Sequence, residues 1–360
     1  MKPKYQEISD DIRSQIVSHH YQIGKMIPTE LQLQKTYQVS RHTVREAISI
    51  LVNEGYLKRE KGSGTYVLKK EEHQNDASSF REQKTIGVIT TYISDYIFPS
   101  IIRGIEKVLS TEGYSLLLAS TNNDYLQEKE CLEKMIEFGV DGLIVEPTKS
   151  NQYNPNLATY VNLREHNIPV LMINATYEEI NTPFICVDDV ETGFVATQEL
   201  IENHHQNLLL ITKIDDLQGK YRMKGFIKAC ENNKIKITSD SIITFTTENM
   251  SSIYEDVLEK LNDHPEITGI VCYNDKLASS LIKKLLENGK QIPEQYSIVG
   301  NDDSTLSIIG GVSLTTTVHP KENLGIDAAK WIVSTIETGV NQDNILYHPT
   351  LVKRESVKKL

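Results

Sequence analysis

The sequence predicts an α/β protein in two parts: a small head of three helices and a β-hairpin, then a larger body of parallel sheets covered by helices. Three observations carry that expectation. The first is charge. The 360-residue chain has a formal net charge of -11, yet residues 1–70 hold 8 Lys and 4 Arg against 7 Asp and Glu, a net of +5. The other 290 residues therefore carry -16, which suits a head that approaches a polyanion and a body with a different task. The second is the stretch 69–83, KKEEHQNDASSFREQ, which has almost no large apolar side chain and cannot pack a core. We read a head over 1–70, a linker over 71–83 and a body over 84–360. The third is a regular alternation of short apolar runs with helical periodicity after residue 84.

In the head, Ile8, Ile12 and Ile16 mark a helix from about Tyr5 to Val17. Thr29 can cap a second helix with Glu30 in its first turn, and Leu31 and Leu33 supply apolar contacts. Ser40 is the next cap, and SRHTVREAISILVNEG predicts a third helix stopped at Gly55. There Val44, Ala47, Ile48 and Leu51 share a core-facing stripe, with Arg41, His42 and Arg45 on the opposite face. A hairpin follows: YLKRE (56–60), the turn Lys61-Gly62-Ser63-Gly64, and TYVLK (65–69).

Three helices and a glycine-tipped hairpin make a winged helix-turn-helix. The motifs P-x-Y (3–5), IPTE (27–30), VSRHTVREAI (39–48), L-x-x-E-G-Y-L (51–57) and GSGTYV (62–67) resemble the GntR family of bacterial regulators across the whole head. A recognition helix places its first turns in the major groove, where Arg41 and Arg45 can each bond both guanine acceptors. His42 beside them is a base contact, a neighbour of phosphate or a bystander. Ser40 and Thr43 can hold phosphate, while Gly62 and Gly64 let the wing approach the backbone with Lys58 and Lys61 beside it. The resemblance implies that Glu30 reaches DNA and that Lys4 and Tyr5 contact the backbone.

The body's apolar runs, read as strands, are TIGVITT (85–91), YSLLLAS (114–120), DGLIVEP (141–147), IPVLMIN (168–174), NLLLIT (207–212), ITGIVCY (267–273) and YSIVG (296–300). Helical periodicity fills 98–111, 125–138, 191–204, 219–232, 251–261 and 275–288. Buried strands alternating with helices imply βαβ units and doubly covered parallel sheets. So many elements exceed one doubly wound unit, so two lobes are expected. No GxGxxG, Walker A or nucleophile-elbow motif follows a strand.

In order, the body also carries VDDVETG (187–193), RMKGF (222–226), CYNDKLA (272–278), SIVGNDDS (297–304) and LTTTVHPKENLG (314–325). With the first strands, these resemble the LacI/GalR sugar-responsive regulators and the periplasmic sugar-binding proteins over essentially all of 84–360. A GntR head on such a body, together with TTYISDYIFPSIIRGIE and LIVEPTKS, is similar to the L-arabinose-responsive repressors. Residue pattern alone supports only a small polar ligand.

A sugar needs aromatic plates and bidentate amide, carboxylate or guanidinium partners, because its buried hydroxyls must be paired. Open α/β sheets bind ligands at their strand C-termini. That edge supplies Tyr96 and Phe98, Glu146 and Asn174. Arg222, Asn274 and Asp302 occupy positions that contact effector in the resembled family. Asp188 and His319 lie near the crossings between lobes, and sequence does not separate Asp188 from Asp189. GNDD (300–303) departs from the family in placing Asn301 where Tyr is usual.

These readings combine into a dimeric repressor that binds a palindromic operator and is released by a sugar between the lobes. The enzyme alternative, an aminotransferase-like body under a GntR head, needs a Schiff-base lysine and usually a longer chain. A transport binding protein needs a signal peptide and no winged head. The expectation is no catalysis, no cofactor, no metal and no membrane partner: no apolar run approaches the roughly 18 residues of a span. The N-terminus also lacks the apolar core of a secretory signal. Cys131, Cys186, Cys230 and Cys272 have no metal or redox spacing, which suits a reduced, cytoplasmic chain.

Overall fold

The computed structural model describes residues 4–17, 20–22, 24–53, 55–60, 64–68, 84–308 and 311–360. The linker expected at 71–83 and the wing residues Lys61 and Gly62 lie outside the described residues. The chain divides into two compact units, Met1–Gln83 and Lys84–Leu360.

The head contains α1 (Lys4–Val17), α2 (Glu30–Tyr37), α3 (Arg41–Asn53) and the antiparallel pair β1 (Leu57–Glu60) and β2 (Gly64–Val67). The isoleucine stripe of α1 packs against Val44, Ala47, Ile48 and Leu51 of α3 in one buried cluster with Leu33, Leu57 and Val67. Thr29 and Gln32 form a reciprocal capping box at the start of α2. Leu31 corrects the sequence reading: it is 61% exposed, whereas Leu33 is buried. Two residues apart on a helix point to nearly opposite sides, so both cannot meet one core. Gly64 begins β2 at φ +147, a backbone conformation that residues with a side chain rarely adopt, which suits glycine at this corner.

The body is two sheets of six strands. In the first, β3 (Thr85–Thr90), β4 (Ser115–Ser120), β5 (Gly142–Val145), β6 (Val170–Ile173), β7 (Phe184–Val187) and β13 (Ile345–Tyr347) are all parallel, in the order β13-β7-β6-β5-β3-β4. Helices α4 (Phe98–Thr111), α5 (Tyr125–Phe138), α6 (Leu157–Glu165) and α11 (Lys321–Thr338) flank it. The second sheet has the order β14-β12-β11-β10-β8-β9. It is built from β8 (Leu208–Lys213), β9 (Ile242–Phe245), β10 (Gly269–Cys272), β11 (Ser297–Asp302), β12 (Thr315–Val318) and the antiparallel edge β14 (Leu351–Val352). Its helices are α7 (Asp189–Glu202), α8 (Leu217–Asn232), α9 (Ile253–Asp263) and α10 (Asp275–Glu287).

The chain crosses between lobes three times, after β7, after β12 and after β13. Each lobe has an apolar cluster on each face of its sheet, around Ile144 and Leu143 in the first and Ile270 and Val271 in the second. The helices expected at 98–111 and 125–138 appear with those bounds. Strands β7, β9, β12, β13 and β14 and helices α6 and α11 are additions to the sequence reading. The four cysteines are free and buried. Among the described residues no helix is long and apolar enough to cross a membrane.

Candidate functional site

Between the two lobes, at the C-terminal edges of both sheets, lies a cavity of about 170 Å³. That is room for a small molecule rather than a drug-sized one. Of the effector candidates, Tyr96, Phe98, Glu146, Asn174, Arg222, Asn274, Asp302 and His319 line it. Asp188 does not. It stands before α7 as the N-cap, its carboxylate accepting from Glu191 N at 2.9 Å. The next residue, Asp189, is turned inward by the first helical step and lines the cavity instead.

Arg222 organises the second lobe's wall. Its Nε donates to Asp189 Oδ1 at 2.7 Å, Nη2 to Asp302 Oδ1 at 3.2 Å and Nη1 to the Tyr273 carbonyl at 2.5 Å. The guanidinium also lies over the Tyr273 ring, 5.3 Å from its centroid. Two glycines make this possible. A Cβ at Gly193 of α7 would fall 2.0 Å from the Arg222 carbonyl oxygen, and one at Gly225 of α8 would fall 2.1 Å from that of Val190. Only bare backbone lets α7 and α8 approach closely enough for Asp189 to meet Arg222. Burial pushes the Asp189 carboxyl up to about 6, with Arg222 opposing. Burial would lower the Arg222 pKa, but Asp189 and Asp302 carry it above its usual value.

From the first lobe, the Tyr96 hydroxyl crosses the cleft, donating to Asp302 Oδ2 at 2.6 Å and accepting from Asp275 N at 3.1 Å. Lys276 pairs with Asp95, and Asn123 Nδ2 donates to Thr247 Oγ1 at 2.7 Å, so further bonds join the lobes around the cavity. Tyr96, Asn174 and Asp302 adopt φ of 61, 63 and 99, a region that side-chain-bearing residues seldom occupy and that clusters at functional sites. Phe98 lines the cavity while packing against Tyr92 with ring centroids 5.9 Å apart, so it serves core and wall together. Asn274 caps α10 through Oδ1, which accepts from Leu277 N at 2.9 Å. Asn301, the departure from the family pattern, is a buried strut: Nδ2 donates to the Cys272 carbonyl and Oδ1 accepts from Thr317.

Sequence reasoning missed Thr91, Tyr92, Lys213, Asp216, Gln218 and Tyr273, which also line the cavity. Lys213 pairs with Asp216 at 2.6 Å; burial opposes its charge, but Asp216 and Asp215 raise its pKa. The signal was available, since Thr-Lys-Ile-Asp-Asp (212–216) continues the NLLLIT run past its C-terminal edge.

His319 is buried and, by that burial, its pKa falls to about 4. The unfolded chain takes up this proton near the ordinary value of about 6.5, so acidification from about 6.5 to about 4 removes stability. Asp189 and Asp275, with burial raising their carboxyls to about 6 and about 7, act oppositely, because the folded chain keeps their protons to higher pH. A difference between variants isolates the histidine. Relative to wild type, His319→Gln gains up to about 3 kcal/mol as pH falls from 7 to 4, read from urea midpoints. A pH-independent difference would mean that His319 is not held neutral.

In the head, Glu30 joins the two candidate arginines. Arg41 Nε donates to Glu30 Oε2 at 3.0 Å and Arg45 Nε to the same oxygen at 2.9 Å. Slight burial pushes the Glu30 carboxyl up, and the bonds from Arg41 and Arg45 outweigh it to hold it below its usual range. The arginine side chains stay 60% and 55% exposed. Ser40 Oγ accepts from Thr43 N at 3.2 Å and lies 2.9 Å from Thr43 Oγ1, so both hydroxyls stand at the N-terminus of α3. His42 is 89% exposed on the same turn. Lys4 pairs with Glu7 at 3.1 Å, Tyr5 is half-buried against the head core, and Lys58 is exposed on β1.

Residues 83–354 match the model of the periplasmic binding proteins and sugar binding domain of LacI family. The chain belongs to that family. Its head, residues 4–67, matches the bacterial regulatory proteins of the gntR family. A Halalkalibacterium halodurans protein named arabinose metabolism transcriptional repressor is 44% identical, the alignment covering 99% of this chain and 97% of that one. A Geobacillus stearothermophilus protein of the same name is 42% identical, covering 99% and 98%. A LacI family transcriptional regulator from Enterococcus faecium, solved with bound ribose, superposes with a TM-score of 0.65 at 26% identity, covering 77% of this chain and 100% of that one.

Proposed function

We propose that this LacI-family chain is a repressor of arabinose-utilisation genes, released from its operator when L-arabinose enters the cleft between the lobes. The observation that carries the reading is the cavity around Arg222. Both lobes contribute to it, and its walls combine paired charges, amides and rings, the partners that a ring of hydroxyls requires. Full-length similarity to two proteins named for arabinose metabolism supports the sugar and the head-to-body pairing. Two copies of the chain present two heads to the half-sites of a palindrome, spaced by about one helical turn. Because Tyr96 bonds across the cleft to Asp302 and Asp275, an occupant beside these groups changes how firmly the lobes are joined, and with it the spacing of the heads.

Such coupling is reciprocal: operator must weaken sugar binding by the factor by which sugar weakens operator binding. The test titrates the full chain onto a duplex that it has itself selected from random sequence, by fluorescence anisotropy at fixed salt. L-arabinose is expected to release the duplex, and calorimetry to show weaker sugar binding in its presence. Equal sugar affinity with and without duplex sinks the mechanism. A response only to a phosphorylated sugar replaces the effector.

A further inference from the structure

We infer that His319 and Gln218 select the effector through its hydroxyl protons: His319 Nδ1 and Gln218 Oε1 each accept an O–H from the bound molecule. This assignment rests on the reading of the cleft as a sugar site, and deepens it.

Its ground at His319 is a relay of hydrogen bonds with one consistent polarity, and at Gln218 a buried, unpartnered amide oxygen. Glu146 Oε2 accepts from Thr91 N at 2.9 Å and from Thr91 Oγ1 at 2.5 Å, and Oε1 accepts from Asn174 Nδ2 at 2.9 Å. With its amino group held by Glu146, Asn174 turns Oδ1 toward His319 Nε2, 3.1 Å away. An amide oxygen only accepts, so Nε2 carries the ring's proton. Burial keeps the ring neutral, with its pKa near 4. Nδ1 is therefore a lone-pair acceptor, and it is buried without a partner in a residue that lines the cavity. From α8, Gln218 lines the same cavity with a second buried and unpartnered acceptor, Oε1.

Buried polar atoms are almost always hydrogen-bonded, and both of these need a donor. The cavity's three cations are engaged elsewhere: Arg222 with Asp189 and Asp302, Lys213 with Asp216, and Lys276 with Asp95. The occupant must bring the protons. Its class is a polyol with free O–H groups at two places; a deoxy, ether or fluoro position there leaves a buried acceptor unmet.

The test is calorimetry on the full chain with L-arabinose and its monodeoxy and monodeoxyfluoro analogues. Fluorine keeps some volume and accepts weakly, but cannot donate. At two ring positions the deoxy and fluoro analogues are expected to bind equally poorly, each weaker by about tenfold or more. At the other positions fluorine recovers part of the loss. His319→Phe should weaken L-arabinose as much as one of those two analogues does, with no further loss on that analogue. His319→Gln, which can donate to Asn174 and accept with its own oxygen, should restore most of the affinity. Gln218→Met should behave likewise at the second position, and Gln218→Glu, which keeps the oxygen, should retain binding. Additive losses of variant and analogue, or fluorine tolerated at every position, overturn the assignment. The wild-type analogue series decides the matter should a variant fail to fold. If wild-type chain takes up no L-arabinose, the functional reading and this assignment fall together. If it binds the sugar but the losses are additive, only this assignment falls.

Discussion

Arg222→Ala is expected to abolish sugar binding and to destabilise the body by about 3–5 kcal/mol at pH 8, the usual cost of breaking a buried ion pair from one side. The side chain is almost wholly buried and holds Asp189 and Asp302 at 2.7 and 3.2 Å. Its removal strands two buried carboxylates facing one cavity. Asp302 keeps the Tyr96 hydroxyl, but Asp189 loses its cation, so its carboxyl, already raised by burial, must rise further. A carboxyl with a raised folded pKa loses stability as pH climbs through the interval between its two values. The deficit of Arg222→Ala should therefore shrink toward pH 5 and widen toward pH 8, as read from urea midpoints of the full chain. Adding Asp189→Asn to Arg222→Ala should recover part of the loss, because it removes one stranded charge. Arg222→Lys keeps the charge but not the planar fork, so it should recover stability without recovering sugar binding. A loss under about 1 kcal/mol at pH 8 would show that the carboxylates have other partners.

The cavity is largely legible in the sequence, since parallel strands end at one edge and residues just beyond them must face the cleft. That rule reaches Tyr96, Glu146 and Asn174, and the same rule applied to Thr-Lys-Ile-Asp-Asp reaches Lys213 and Asp216. The Asp188–Asp189 choice had a local signal that was passed over. Asp-Asp-Val-Glu places an acid three residues after Asp188, the spacing of a helix N-cap, so Asp188 caps and the next residue turns inward. Other features depend on contacts far apart in sequence. Helix α11 follows the second sheet yet packs on the first lobe with α4, and no local pattern announces that return. Strand β14 pairs antiparallel with β12 by only two residues, too short to register as a run. Glu30 reads as a helix-dipole acid until the fold sets α2 beside α3 and brings two arginines to it.

Those arginines carry the second large effect. Arg45→Ala is expected to lower affinity for the selected duplex by roughly 10- to 100-fold, the range of one bidentate guanine contact worth about 1–3 kcal/mol. Folding should hardly change, because the side chain is more than half exposed and its bond to Glu30 is a surface pair. Specificity separates this role from simple charge. Loss of a base contact weakens the selected duplex more than a scrambled one, whereas Lys58→Ala should weaken both about equally and reduce the salt slope by about one. Glu30→Gln supplies the complementary measurement. Glu30 holds both guanidinium groups by Nε, so neutralising it frees them to move and removes a negative charge from the first turn of α2. If Glu30 serves to aim the arginines, the scrambled duplex should bind more tightly while discrimination falls. If Glu30 itself touches DNA, as the family resemblance implies, preference at a particular base pair should change instead. Equal affinity of wild type and Arg45→Ala for the selected duplex, at the same salt, would take Arg45 out of the recognition surface and leave Arg41 to carry it.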